Sequence, residues 1–126
     1  MSAAKILVVD DTPQNVKLLA DLLSIKGYQT LEAITGEDGV KLAKEKKPDL
    51  VLMDIQLPGI NGIEAFRQIR ADANTSRIPV VALTASVTPT DRSAITAAGF
   101  DAFISKPINL KDFLETVKRL AEGGRK

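Results

Sequence analysis

Continuous apolar runs separated by helical patterns restrict the fold of this chain more than any other feature. Four of the runs contain no alternating polar positions: ILVV (6–9), LVLM (50–53), IPVVAL (78–83) and AFI (102–104). Strands of this kind are typical of a parallel sheet in which both faces are buried. A fifth segment, YQTLEA (28–33), is half polar and fits a strand at the edge of the sheet.

A helical pattern follows each of these segments. In the first pattern, Gly27 stands where a left-handed residue commonly ends a helix. The others are GEDGVKLAKEKK, which Pro48 stops, GIEAFRQIRADA, PTDRSAITAAG and NLKDFLETVKRL, for which Asn109 is the predicted N-cap. The residues predicted to face inward in the first and last helices are Val16, Leu19, Ala20 and Leu23, and Leu110, Phe113, Leu114, Val117 and Leu120.

The alternation of five strands with five helices predicts an α/β fold. We expect a flavodoxin-like (βα)5 three-layer sandwich, with helices on both faces of a five-stranded parallel sheet in the order 2-1-3-4-5. The chain has 126 residues, of which 44% are hydrophobic, and this is enough for one core. We therefore expect a single domain over residues 5–122, flexible ends at 1–4 and 123–126, and no output domain after the last helix.

The composition argues against several classes of function. The 17 basic residues nearly balance the 16 acidic ones, so a nucleic-acid partner, which usually requires a strong basic excess, is not expected. The chain contains neither cysteine nor histidine, which removes thiolate and imidazole metal ligands and His-based catalysis. No apolar run approaches the roughly 18 residues of a membrane span, and MSAAK leaves no room for a signal peptide. We expect a cytoplasmic protein without membrane insertion.

Polar residues stand at the carboxyl ends of four predicted strands. Asp10 and Asp11 follow the first strand, Asp54 the third, Thr84 the fourth and Lys106 the fifth. In the predicted order the first and third strands are neighbours, about 5 Å apart, so the three acids must crowd together. Their repulsion requires compensation, which Lys106 and a divalent cation with oxygen ligands, such as Mg²⁺, would supply.

This set of groups suits phosphoryl transfer to a carboxylate. Asp54 would be the nucleophile, because an exposed carboxylate can form a covalent phosphoryl intermediate. Lys106 and the metal would neutralise the phosphoryl oxygens, and the Thr84 hydroxyl would donate a hydrogen bond to one of them.

The blocks ILVVDD, LVLMDIQLPGINGIE, PVVALTA and ISKP resemble, in order and spacing, the four signature blocks of the response-regulator receiver domain. The resemblance spans residues 5–120. It implies that Asp54 is the phosphoacceptor, that Asp11 binds the metal directly and that Asp10 binds it mainly through water. It also implies that the backbone carbonyl of Gln56 completes the protein ligands, and that the ion is Mg²⁺ or Mn²⁺.

The same resemblance implies how the domain would switch. Thr84 and Lys106 would hold the phosphoryl group, while Thr84 and Phe103 would form the switch pair that reshapes the surface of helix 4, strand 5 and helix 5. A histidine kinase or histidine phosphotransfer protein would donate the phosphoryl group, and a target protein would read that surface. The family also has a cis peptide at the position of Lys106–Pro107. The chain would act as a phosphoacceptor and not as an enzyme that turns over external substrates.

The chain is similar to stand-alone receivers, among them the chemotaxis CheY-type and the cell-division DivK-type regulators. DDTPQNVKLL, DIQLP and FLETVKRL look closer to the DivK group. This favours a role in the cell cycle or in kinase regulation over a role at the flagellar motor. Gln56 and Ser86, each two residues beyond a predicted site residue, are expected to tune the lifetime of the phosphoryl group.

Other interpretations of these residues stay open. Acidic pairs such as Asp10–Asp11 often cap helices, and Phe103 could be a plain core residue. A phosphatase or phosphotransferase of the haloacid-dehalogenase kind needs a second acid two residues after its nucleophile, where this chain has Thr12 or Gln56; a toprim-like enzyme also fails at Gln56. A flavin or nucleotide module is disfavoured by 4% aromatic residues, no tryptophan and no glycine-rich phosphate loop.

Overall fold

A computed structural model of the protein describes residues 4–55, 57, 60–84, 89–105 and 109–123. Five strands alternate with five helices along the chain, as the apolar runs predict. The elements are β1 (Lys5–Val9), α1 (Pro13–Ile25), β2 (Gln29–Ala33), α2 (Gly36–Lys46), β3 (Leu50–Asp54), α3 (Gly62–Ala71), β4 (Val80–Thr84), α4 (Pro89–Ala98), β5 (Ala102–Ser105) and α5 (Leu110–Gly123). The predicted domain limits and flexible ends stay predictions.

The five strands form one parallel sheet in the order β2-β1-β3-β4-β5. This confirms both the flavodoxin-like architecture and the predicted strand order. β3 and β4 are buried along their whole length, and β2 is a half-polar edge strand, as expected. The prediction that AFI (102–104) is buried on both faces was wrong, because β5 is the other edge strand and only Ile104 within it is buried.

Two hydrophobic layers cover the two faces of the sheet. Since successive strand residues point to opposite faces, Ile6 and Val8 belong to one layer while Leu7 and Val9 belong to the other. The first layer also receives the buried residues of α1 and α5, and the second receives those of α2 and α3. The result is a three-layer sandwich in which the sheet is shielded on both sides.

The helix ends follow local signals in the sequence. Gly27 has a φ of 91° and lies just after α1, where a residue without a Cβ is favoured. The backbone N–H of Asp112 donates to the Asn109 side chain at 3.1 Å, which confirms the predicted cap of α5. The third helix ends at Ala71, two residues earlier than GIEAFRQIRADA predicts, because Asp72 adopts an extended conformation with φ −89° and ψ 126°.

The inward face of α5 is shorter than predicted. Phe113, Val117 and Leu120 are buried against the sheet, and Leu114 is partly buried beside them. Leu110, in contrast, is 48% exposed. It occupies the first helical position, one turn before the first residue of α5 that reaches the core, so its prediction as an inward residue was wrong.

A search of the described part of the chain for helices that could cross a bilayer finds none with the required length and apolar character.

Candidate functional site

Three carboxylates converge where β1 and β3 end. Asp54 is the last residue of β3, and Asp10 and Asp11 follow β1 directly. Because Val9 pairs with Met53 in the parallel ladder, the next residues along the two strands, Asp10 and Asp54, stand side by side. One oxygen from each of the three acids can be chosen so that all lie within 4.8 Å of one another. The expected crowding of these acids is therefore present in the structure.

The three acids differ in their exposure to solvent. Asp11 is exposed, whereas Asp10 and Asp54 are buried, with 0% and 3% of their surface accessible. The expectation of an exposed carboxylate at Asp54 was therefore wrong. The Thr12 backbone N–H donates to Asp10 Oδ1 at 2.9 Å and holds that carboxylate in place. The site is therefore shielded from solvent at Asp10 and Asp54 and open to water at Asp11.

Helix capping does not account for the acidic pair. The N-cap of α1 is Thr12, and Pro13 occupies the first helical position. Neither Asp10 nor Asp11 therefore stands at the capping position, although the Asp10 carboxylate does accept the Thr12 backbone N–H. The alternative interpretation of the pair as an N-cap is not supported.

The donor set fits a hard divalent cation. All three groups offer carboxylate oxygens, which Mg²⁺ prefers, and the chain has no histidine or cysteine to favour a softer metal. Three like charges at this distance also repel one another, and a cation would offset that repulsion. Asp10, Asp11 and Asp54 therefore suit Mg²⁺ in both chemistry and charge.

Thr84 and Phe103 lie on the strands beyond Asp54. Asp54 pairs with Leu83 of β4, so Thr84 is one residue further towards the carboxyl edge of the sheet. Thr84 is 1% exposed. Phe103 pairs with Ala82 on the other side of β4 and is only partly buried, and its switch role stays a prediction. Thr84 is thus placed on the strand next to Asp54, and Phe103 on the strand beyond it.

Several predicted site residues lie outside the described part of the chain. Gln56, Ser86, Lys106 and the Lys106–Pro107 peptide bond belong to this group. The roles predicted for them as carbonyl ligand, tuning residue, phosphoryl-binding cation and cis peptide remain predictions.

Sequence reasoning did not single out the glycine that touches the backbone of Asp54. A Cβ placed on Gly62 would lie far inside van der Waals contact with the Asp54 carbonyl oxygen. A signal for it was present in the sequence, because Gly62 follows the cap residue Asn61 and opens a helix, where glycine is a poor helix former. The contact itself depends on how α3 meets β3.

Comparisons with known proteins agree with this geometry. The family model described as response regulator receiver domain matches residues 6–118. The polar-differentiation response regulator DivK of Brucella anthropi is 41% identical over 113 residues, which cover 90% of this chain and 92% of that protein.

Solved structures with the same fold include receiver domains from two bacteria. The receiver domain of the sensor histidine kinase PA1611 from Pseudomonas aeruginosa, with a magnesium ion coordinated in its active site cleft, has a TM-score of 0.89 and 31% identity. That match covers 96% of this chain and 99% of the other. The chemotaxis response regulator CheY4 of Vibrio cholerae has a TM-score of 0.87 and 25% identity, with coverage of 94% and 99%. The chain therefore belongs to the response regulator receiver domain family.

Proposed function

We propose that this receiver domain accepts a phosphoryl group on Asp54 and thereby changes the surface it offers to a partner protein. One observation carries the proposal: the carboxylates of Asp10, Asp11 and Asp54 converge at the carboxyl edge of the sheet, with Thr84 on the adjacent strand. Ligands of open α/β sheets bind at this edge.

Each acid has a proposed role. Asp10, Asp11 and Asp54, together with the backbone carbonyl of Gln56, would hold Mg²⁺ or Mn²⁺, with Asp10 acting mainly through water. When bound, the ion would offset negative charge on the carboxylates and on the phosphoryl oxygens. The Thr12 N–H bond to Asp10 restrains one of the ligands before any ion arrives.

The proposed reaction is transfer from a phosphohistidine of a histidine kinase or a histidine phosphotransfer protein. A carboxylate oxygen of Asp54 attacks phosphorus, the new O–P bond forms, and the N–P bond to the imidazole breaks with its electron pair leaving on nitrogen. Thr84 would donate its hydroxyl hydrogen to a phosphoryl oxygen, and Lys106 would supply positive charge. The chain has no histidine of its own, so the donor must be a second protein or a small phosphodonor.

Phosphorylation would act as a conformational switch. The added negative charge and acceptor oxygens would draw the Thr84 hydroxyl towards Asp54, and Phe103 on the neighbouring strand would move into the space released. Because Phe103 is partly exposed on the edge strand β5, its motion changes the surface of α4, β5 and α5. We propose that a target protein reads this surface.

The proposed biological role is signalling. Receiver domains are signalling modules and generally not enzymes, and we expect no turnover of an external substrate. The 41% identity to a DivK regulator exceeds the 25% identity to a chemotaxis CheY. A role in cell-cycle or kinase regulation is therefore proposed in preference to one at the flagellar motor.

Intact-mass measurement tests the proposed function. The protein is incubated with Mg²⁺ and either acetyl phosphate or candidate histidine kinases, and wild type should gain one phosphoryl group. Asp54→Asn should gain none, while Asp21→Asn, which removes an exposed carboxylate on α1, should behave as wild type. An equal gain in Asp54→Asn, or no gain in wild type with any donor, would count against the proposal.

A further inference from the structure

The start of α3 touches the backbone of the proposed phosphoacceptor. A Cβ on Gly62 would clash with the Asp54 carbonyl oxygen and would lie 2.7 Å from the Ile55 Cα. The Gly62 backbone N–H also donates to the Ile55 carbonyl oxygen at 3.1 Å. Because both neighbours are backbone atoms, they have no side-chain rotation with which to avoid a methyl group.

A second glycine makes a close approach at the other end of the loop between β3 and α3. Gly36, the first residue of α2, is buried, and a Cβ there would lie 2.8 Å from Ile60 Cγ1 and 2.9 Å from the Ile60 carbonyl oxygen. Ile60 packs against the core layer beneath α2 and α3. This end of the loop is therefore held by contact with a different helix.

The loop between these two contacts has further anchors. Leu57 is 8% exposed and belongs to the same core layer. The Asn61 side chain accepts the Glu64 backbone N–H at 2.9 Å and caps α3. The described residues of the loop are thus restrained at its start, in its middle and at its end.

We propose that Gly36 and Gly62 are positioning residues for the acidic site. Their missing side chains let two helix N-termini approach the described residues of the loop that follows Asp54. The two close approaches fix the direction of the Asp54 backbone relative to Asp10 and Asp11. The proposal deepens the proposed function and rests on it for its link to metal binding.

Helix propensity alone predicts that replacing either glycine with alanine stabilises the protein, which is the opposite of the effect expected from the close contacts. At an unobstructed helical position, the substitution of glycine by alanine stabilises a helix. A Cβ on Gly36 or Gly62 instead requires neighbouring atoms of the loop to shift, since contacts fall below 3.0 Å. Gly36 is the better position for a test, because two of the three atoms nearest to its Cβ belong to the Ile60 side chain, which has rotamers available. The three atoms nearest to a Cβ on Gly62 are all backbone atoms.

The experiment compares Gly36→Ala with Gly27→Ala. Gly27 has a φ of 91° and nothing within 4 Å of a Cβ, so its substitution adds backbone strain far from the loop. For each protein we measure the melting temperature, the amide ¹H–¹⁵N spectrum without metal, and the Mg²⁺ affinity by titration. The ion alone serves as the probe.

Gly36→Ala is expected to shift the amide signals of Ile55, Leu57 and Asn61 in the absence of metal, and to weaken Mg²⁺ binding about tenfold. Gly27→Ala should lower the melting temperature but leave these signals and the affinity as in wild type. If Gly36→Ala does not fold, Ile60→Ala removes the opposing side chain without a clash, and it should also shift the loop signals and weaken binding.

A folded Gly36→Ala protein, or the Ile60→Ala protein in its place, with unshifted loop signals and unchanged Mg²⁺ affinity would overturn the positioning role. Failure of the proposed function has a different signature. If wild type binds no Mg²⁺ and accepts no phosphoryl group while Gly36→Ala still shifts the loop signals, the proposed function is wrong. In that case Gly36 and Gly62 affect only the structure of the loop, and the positioning proposal is rejected together with the proposed function.

Discussion

The Arg70 guanidinium of α3 donates through Nη2 to Asp101 Oδ2 at 2.5 Å, although the two residues lie 31 positions apart in the chain. Both side chains are largely buried, with 17% and 11% of their surface exposed. Arg70 Nη1 also donates to the carbonyl oxygens of Ile78 and Ser76, and Asp101 accepts the Val80 backbone N–H. The ion pair therefore joins α3 to the starts of β4 and β5, at the edge of the sheet opposite the three acids.

Removing one partner of this ion pair is expected to destabilise the protein. Asp101→Ala leaves the Arg70 charge largely buried without its carboxylate, which costs about 3–5 kcal/mol of the free energy of unfolding. Urea denaturation measures the change.

The matched control is Lys44→Ala. Lys44 and Asp72 are 3.8 Å apart, and their side chains are 45% and 27% exposed. A pair of this kind contributes less than about 1 kcal/mol. Equal losses in the two variants would mean that the Arg70–Asp101 pair contributes no more than a surface pair. The Mg²⁺ affinity of Asp101→Ala should match wild type, since the pair lies at the opposite edge of the sheet.

Neutralising one of the clustered acids should stabilise the metal-free protein. Asp54→Asn removes one of three like charges whose oxygens lie within 4.8 Å of one another. We expect an increase of about 1 kcal/mol in the free energy of unfolding, or about 4 °C in melting temperature near neutral pH. Thermal denaturation without divalent ions measures it, with Asp21→Asn as the exposed-carboxylate control.

Added Mg²⁺ should raise the melting temperature of wild type, because a ligand that binds only the folded state stabilises it by mass action. Asp54→Asn should gain much less from the same concentration of Mg²⁺. A wild-type melting temperature that responds neither to the ion nor to the substitution would indicate that repulsion among the acids is negligible.

The Thr84 hydroxyl is expected to contribute to phosphoryl transfer. Thr84→Val keeps the shape of the side chain and removes the donor, so the rate of phosphorylation by acetyl phosphate should fall about a hundredfold, while Thr84→Ser should retain most of it. The rate follows from the intact mass as a function of time.

Thr75→Val is the matched control for the loss of a buried hydroxyl. Thr75 is 0% exposed, and its hydroxyl donates to the Ile69 carbonyl oxygen at 2.6 Å, away from the acids. Its substitution should lower stability without slowing phosphorylation. If both valine variants slow the reaction equally, the effect of Thr84→Val is a general consequence of reduced stability.

A tryptophan at position 103 should report the switch. The chain contains no tryptophan, so Phe103→Trp introduces a single fluorophore at a partly buried position on β5. Acetyl phosphate with Mg²⁺ should change its emission as the ring moves from partial exposure into the protein. The same treatment of Phe103→Trp combined with Asp54→Asn should leave the spectrum unchanged. A spectral change in the double variant would mean that the ring moves without phosphorylation of Asp54, which contradicts the proposed switch.

Much of the fold depends on signals that act over a few residues. Apolar runs become strands, Gly27 ends α1 in a left-handed conformation, and Asn109 caps α5, because each acts through its neighbours in the chain. The errors concern the exposure of residues and the end of α3. Leu110 and β5 are less buried than predicted, because burial depends on which neighbouring element covers a residue, and periodicity does not contain that information.

Part of the acidic site could likewise be predicted from the sequence. Asp10, Asp11 and Asp54 could be brought together from the sequence, because parallel strands place their carboxyl ends at one edge and the strand order makes β1 and β3 neighbours. The chemical roles proposed for them follow from the types of side chain that meet there, and these roles stay predictions.

Only the tertiary structure decided the contacts that depend on how closely two distant elements approach. The close approach of Gly62 to the Asp54 carbonyl oxygen is one such contact, and the Arg70–Asp101 ion pair is another. Both require a specific separation of backbones, and the ion pair also requires particular side-chain rotamers. Helix packing sets these quantities, and no short-range pattern in the sequence specifies them.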